Sequence, residues 1–186
     1  MRILWNAYFA YVKDPAQTVR QLVQNRCFRV AFAGYAVAAL CWVSFFWLGR
    51  DLSVWGFCWR FIFFWLLEVS MGYLWAALSG LFLNFFSDDN GPSALFISLG
   101  LSGFVQSLLL CFALISYEAD WLAPLTALMF AITLVLRFSF AVLNAARAVQ
   151  VGLSKALGAL CFVLIPVMAA ICLGFGALAL LISMAV

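Results

Sequence analysis

Uncharged apolar windows alternate with short polar stretches along most of this chain. A helix needs about 20 predominantly apolar residues to cross a bilayer core, and the windows meet that length. Val30 to Gly49 predicts a first span over 30–48. Asn90 to Tyr117 holds one over 94–116, the run from Trp121 one over 122–143, and Ala156 to Val186 one over 157–184. Leu52 to Phe86 is harder to divide. Its 35 residues, interrupted by Arg60 and Glu68, would make a helix of about 52 Å, too long for one perpendicular span and too short for two with a turn. Trp55, Trp59 and Trp65 suit the head-group boundary, where indole is favoured. Val54–Trp59 therefore reads as an outer interfacial approach and 61–83 as the second span.

Five spans predict an all-α polytopic membrane bundle, one membrane domain over 30–186. Composition agrees, with 68% hydrophobic and 9% charged residues against about half and a quarter in a soluble domain. So much apolar surface does not fit inside a globule of 186 residues, and disorder needs the opposite composition. Charge position orients the chain. Arg2, Lys13, Arg20, Arg26 and Arg29 precede the first span with only Asp14 against them, and basic density beside a span marks the cytoplasmic side. That places Arg147 and Lys155, between the fourth and fifth spans, inside as well, and the C-terminus outside. The expected location is a bacterial inner membrane. A net charge of +3 is too weak to suggest nucleic acid.

Residues 1–29 predict cytoplasmic interfacial helices. Trp5, Tyr8, Phe9 and Val12 recur at helical spacing, with Arg2, Asn6 and Lys13 on another face. Asp14-Pro15 reads as an N-cap followed by proline at the first helical position, after which Val19, Leu22 and Val23 form a stripe. Arg20, Arg26, Arg29, Arg147 and Lys155 are the candidate surface for membrane lipids or a protein partner; each basic residue near an anionic leaflet contributes about 1 kcal/mol.

Glu68 is the most conspicuous polar residue, because a carboxylate inside a span is costly and normally faces the bundle and pairs. Arg137 on the fourth span is its candidate partner. Counted from the outer edges of the expected spans, the two differ by about 10 Å in depth. Three readings of Glu68 stand side by side: a proton or substrate site with Arg137, an interhelical ion pair, or a residue at the outer interface. Arg60, two turns from Glu68, is expected to snorkel outward. Gln106, Asn84 and Asn144 are expected to hydrogen-bond between helices. Gly72, Ala76 and Gly80, Gly103 with Ser107, and Ala170 with Gly174 form small-residue ridges that predict close helix packing and a homo-oligomer or protein partner. Pro166 is expected to kink the last span.

Enzyme signals are poor. The sequence has no His, the usual proton shuttle and metal ligand, and no GxSxG, HExxH or P-loop. Asp88-Asp89 and Glu118-x-Asp120 fall on opposite sides of the membrane by this topology and cannot form one metal site. The six cysteines lack CxxC spacing and mostly sit in apolar runs, where Cys acts as a small hydrophobe. Cys27, beside the membrane, is a candidate for acylation. The first 29 residues are too polar for a signal-peptide core. No cofactor or metal is expected.

A further pattern is visible in the order of these features. Asp14-Pro15 precedes a basic linker and the first span, a small-residue-rich second span leads to Asn90-Gly91-Pro92-Ser93, and Val142 to Ala156 exits the fourth span through a helical linker into Ser154-Lys155-Ala156. This resembles the Yip-domain family, five-span proteins named for interaction with Ypt/Rab GTPases, and in its short form the bacterial members. The resemblance implies a membrane fold and no catalytic residues. The expected function is a non-enzymatic scaffold, membrane-organising or accessory subunit. The alternative is a lipid or small-solute transport component using Glu68 and Arg137.

Overall fold

A computed structural model describes residues 2–47, 53–84, 91–118 and 123–166, and every element among them is helical. In chain order these are α1 (Arg2–Lys13), α2 (Pro15–Gln24), α3 (Phe28–Trp47), α4 (Val54–Asn84), α5 (Pro92–Ser102), a 3-10 turn (Gly103–Gln106), α6 (Ser107–Glu118) and α7 (Ala123–Val149). A further helix, α8 (Leu153–Pro166), follows. Phe28–Trp47, Val54–Asn84, Pro92–Phe112 and Ala127–Val149 are long and apolar enough to cross a membrane, as an integral membrane protein requires. Residues 167–184 of the expected fifth span, the Ala170–Gly174 ridge and the acidic pair Asp88-Asp89 lie outside the described residues, as do Arg50-Asp51 and Asp120.

The short helices follow from local chemistry. One carboxylate oxygen of Asp14 accepts from the backbone N–H groups of Ala16 and Gln17, both at 3.1 Å, satisfying two of the donors that a helix start leaves over. At the other end of α2, Arg26 takes a left-handed conformation with φ 46°, and the Cys27 N–H reaches back to the Leu22 carbonyl at 2.9 Å. This is a Schellman closure made without glycine. The same device ends α7: Gln150 has φ 54°, and the Val151 N–H bonds the Ala146 carbonyl at 3.1 Å.

Two boundaries differ from expectation. No break separates an outer approach from a second span, because α4 runs unbroken for 31 residues, about 46 Å at helical rise. Nothing in Cys58–Phe61 breaks a helix, and Arg60 is accommodated by placing its guanidinium over the Trp47 ring at 5.0 Å, a cation–π contact. Conversely, the third span is not one regular helix, since the 3-10 turn interrupts it at Gly103–Gln106. The Ser98 and Ser102 hydroxyls donate to the carbonyls of Leu95 and Leu99 at 2.8 and 2.6 Å, a local bond that competes with the helical ladder and bends it.

The core sits on α5. Residues 95–104 are buried without exception, and α5 packs on α2, α3, α4 and α7. Its approach to α3 is backbone on backbone: a Cβ on Gly100 would lie 2.8 Å from Ala31, and one on Gly34 would strike the Gly100 carbonyl. The expected small-residue ridges are used in the same way within the chain. Gly72 faces the Tyr35 phenol, Gly80 faces Pro92 and Leu95, and Gly103 faces the Gly34 carbonyl. The outer surfaces are apolar, as lipid contact demands, with Leu66, Leu81, Val135 and Ile165 all more than half exposed.

α1 packs on the bundle through a face centred on Tyr11. Phe9 and Val12 are exposed, whereas Tyr11 is buried and Tyr8 half-buried. Tyr8 and Tyr11 pack on Phe104, with centroids at 5.4 and 6.3 Å, and Tyr11 also meets Phe140. The bundle offers these rings an aromatic seat that helical periodicity alone does not reveal. Trp5 lies on α1, but its side chain is not described. On α2 the expected stripe is inward, with Val19 fully buried and Leu22 and Val23 half-buried.

Candidate ligand site between the spans

Glu68 lies fourteen residues after Val54 and sixteen before Asn84, near the middle of α4. Arg137 lies fourteen after Ala123 and twelve before Val149, near the middle of α7. The depth offset expected from the sequence vanishes because α4 starts seven residues earlier than the expected span. The two side chains form an ion pair, Arg137 Nη2 to Glu68 Oε2, with the side chains 19% and 13% exposed respectively. Nη1 of Arg137 donates to Glu68 Oε1 at 2.9 Å, making the contact bidentate.

Two neutral groups complete the cluster. The Trp42 indole N–H donates to Glu68 Oε1 at 2.7 Å, and Arg137 Nη1 also donates to Gln106 Oε1 at 2.7 Å. Gln106, fully buried, closes the 3-10 turn. Glu68, Arg137 and Gln106, singled out from the sequence as intramembrane polar residues, are thus one connected group. Trp42 is the member that boundary-seeking indoles do not predict; its position well inside the first span is the signal in the sequence.

Trp42, Glu68 and Arg137 of this group lie in the wall of a cavity of about 470 Å³, within the range of roughly 300–1,000 Å³ typical of small-molecule sites. The cavity separates α4 from α7, and its lining is otherwise almost wholly apolar. Trp42 and Phe46 of α3, Phe64 and Trp75 of α4, Phe138 of α7 and Leu160 of α8 give it aromatic and aliphatic walls. The α8 side is held by the Trp75 indole N–H donating to the Leu160 carbonyl at 3.2 Å and by stacking of Phe82 on Phe162. An ion pair in such surroundings is stable only when its remaining polar atoms are also satisfied, which Trp42 and Gln106 help to do.

A second polar cluster lies nearer one end of the bundle. Asn144, fully buried, donates to the Tyr11 hydroxyl at 2.8 Å and to the Ser98 carbonyl at 3.3 Å, tying α1 to α5 and α7. Burial pushes the Tyr11 phenol up to about 12, with the Asn144 hydrogen bond and the nearby Arg147 charge pulling it back. The remaining sequence candidates are apart from the cavity: Arg20, Arg26, Arg29 and Lys155 are exposed and Arg147 is half-buried in the last turn of α7. Among the described residues no group of His, Cys, Asp and Glu is placed to hold a metal ion. Comparison with models of known families, with curated proteins and with solved structures finds no match.

Proposed function

We propose that this protein is a non-enzymatic membrane component that takes an amphiphilic molecule from the bilayer into the cavity between α3, α4, α5, α7 and α8. The observation that carries this reading is a large aromatic cavity at mid-helix depth with one hydrogen-bonded ion pair in its wall. A purely packing role for Glu68 and Arg137 calls for no cavity beside them. Ligand sites combine apolar walls with a few placed polar groups in this way. The reading belongs with the lipid or solute transport alternative expected from the sequence rather than with the scaffold that the Yip-domain resemblance implies.

Recovery of bound lipid from protein purified in nanodiscs tests it. Met71 lines the cavity and Leu81 does not, although both are exposed. Met71→Trp, which narrows the cavity, is expected to reduce a co-purifying amphiphile, and Leu81→Trp is expected to leave it unchanged. Lipid content equal to that of the bulk bilayer in the wild type, or equal retention in both variants, would remove the proposal.

A further inference from the structure

The hydrogen-bond inventory of Arg137 narrows the class of ligand, on the assumption that the cavity is a binding site as proposed above. A guanidinium has five N–H donors in a fixed planar fork. Both N–H groups of Nη1 are committed, one to Glu68 and one to Gln106, and one N–H of Nη2 is committed to Glu68. Among the described residues the Nε–H and the second Nη2–H have no acceptor. These two protons lie on the same edge of the guanidinium plane and point in parallel, which is the arrangement that engages an acceptor from two positions at once. Arg137 itself lines the cavity.

Charge decides which acceptor suits that edge. Glu68 already neutralises Arg137, so a carboxylate or phosphate arriving there would bring an uncompensated negative charge into apolar surroundings. An ammonium would bring an uncompensated positive one. Either is heavily disfavoured in a low-dielectric site. An uncharged carbonyl oxygen supplies lone pairs to both N–H groups and adds no charge. The walls, built from Trp42, Phe46, Phe64, Trp75 and Phe138, accept the apolar remainder.

We infer that the cavity binds an uncharged amphiphile through a carbonyl oxygen, of an ester or ketone, held on the free edge of the Arg137 guanidinium.

Four probes with the same chain length separate the possibilities: methyl hexadecanoate, hexadecanoate, hexadecylammonium and hexadecane. Their affinities for the full-length protein in detergent are read by native mass spectrometry. Methyl hexadecanoate is expected to bind about tenfold or more tightly than each of the others, the scale of a hydrogen bond to a charged donor. In the paired variant Glu68→Leu with Arg137→Met, the preference for methyl hexadecanoate over hexadecane is expected to be lost. The wild-type ranking decides the question by itself should the paired variant fail to fold. Hexadecanoate, hexadecylammonium or hexadecane binding as tightly as the ester would overturn the inference and leave the cavity reading in place. Failure of all four probes to bind would overturn both.

Discussion

The ion pair between α4 and α7 offers the sharpest test of the described geometry, because removing both members is predicted to cost less than removing them one at a time would suggest. Glu68→Leu leaves the Arg137 guanidinium among apolar walls with only Gln106 as acceptor. Arg137→Met leaves the Glu68 carboxylate with only the Trp42 indole as donor. With the side chains only 19% and 13% exposed, each single change is expected to cost about 3–5 kcal/mol, the range for stranding one member of a buried pair. Exchanging both for apolar residues removes the stranded charge. The double variant still orphans the Trp42 N–H and the Gln106 carbonyl oxygen, at about 1–3 kcal/mol each, but it gains back about 1–4 kcal/mol from the removed charge desolvation. It should therefore be at least as stable as either single variant, with a coupling of about 3 kcal/mol or more. Unfolding in bicelles titrated with a denaturing detergent measures all four corners of the cycle. Additive single costs, within about 0.5 kcal/mol, would mean that Glu68 and Arg137 do not meet.

Three further outcomes follow from the packing. Gly100→Val should break the α3–α5 crossing, since even a Cβ lies 2.8 Å from Ala31; a cost of about 1–3 kcal/mol or more is expected. Gly158→Ala, on α8 with nothing within 4 Å, should leave stability unchanged or raise it by up to about 1 kcal/mol, and equal melting shifts for the two glycines would contradict the crossing. Asn144→Leu should free α1, costing about 1–3 kcal/mol by leaving the buried Tyr11 hydroxyl without its Asn144 partner, and should raise proteolytic cleavage between α1 and α3; an unchanged cleavage rate would count against the docking. The Tyr11 phenol, held up to about 12 by burial, keeps its proton in the folded state after it would ionise in the unfolded one. Its contribution is therefore full below about pH 10 and is lost as pH rises toward 12, by up to about 2.7 kcal/mol. Tyrosinate absorbance of the wild type minus Tyr11→Phe should rise in that window, and a rise centred on the ordinary tyrosine range would refute the burial.

Much of the bundle was legible in the chain because burial in a bilayer is decided by composition over long windows. The starts of α2, α3, α5 and α7, the Asp14 cap and the small-residue contacts at Gly72, Gly80 and Gly103 all follow from local residue chemistry. Glu68, Arg137 and Gln106 stood out for the same reason: a polar group in an apolar run is visible without coordinates. What helical periodicity could not fix was continuity and facing. No residue near Arg60 marks whether α4 breaks, and seven residues of uncertainty there displaced Glu68 by about 10 Å relative to Arg137. The face by which α1 packs on the bundle is not legible along the chain, because its seat, Phe104 and Phe140, belongs to other helices. By itself, then, the sequence determined the solvent, the helices and the residues whose burial is expensive, since each depends on neighbours along the chain. Tertiary structure decided that Glu68, Arg137, Trp42 and Gln106 meet at one level and that the first three flank a cavity, because that depends on the relative depth of three helices and the 3-10 turn, which only their mutual packing sets.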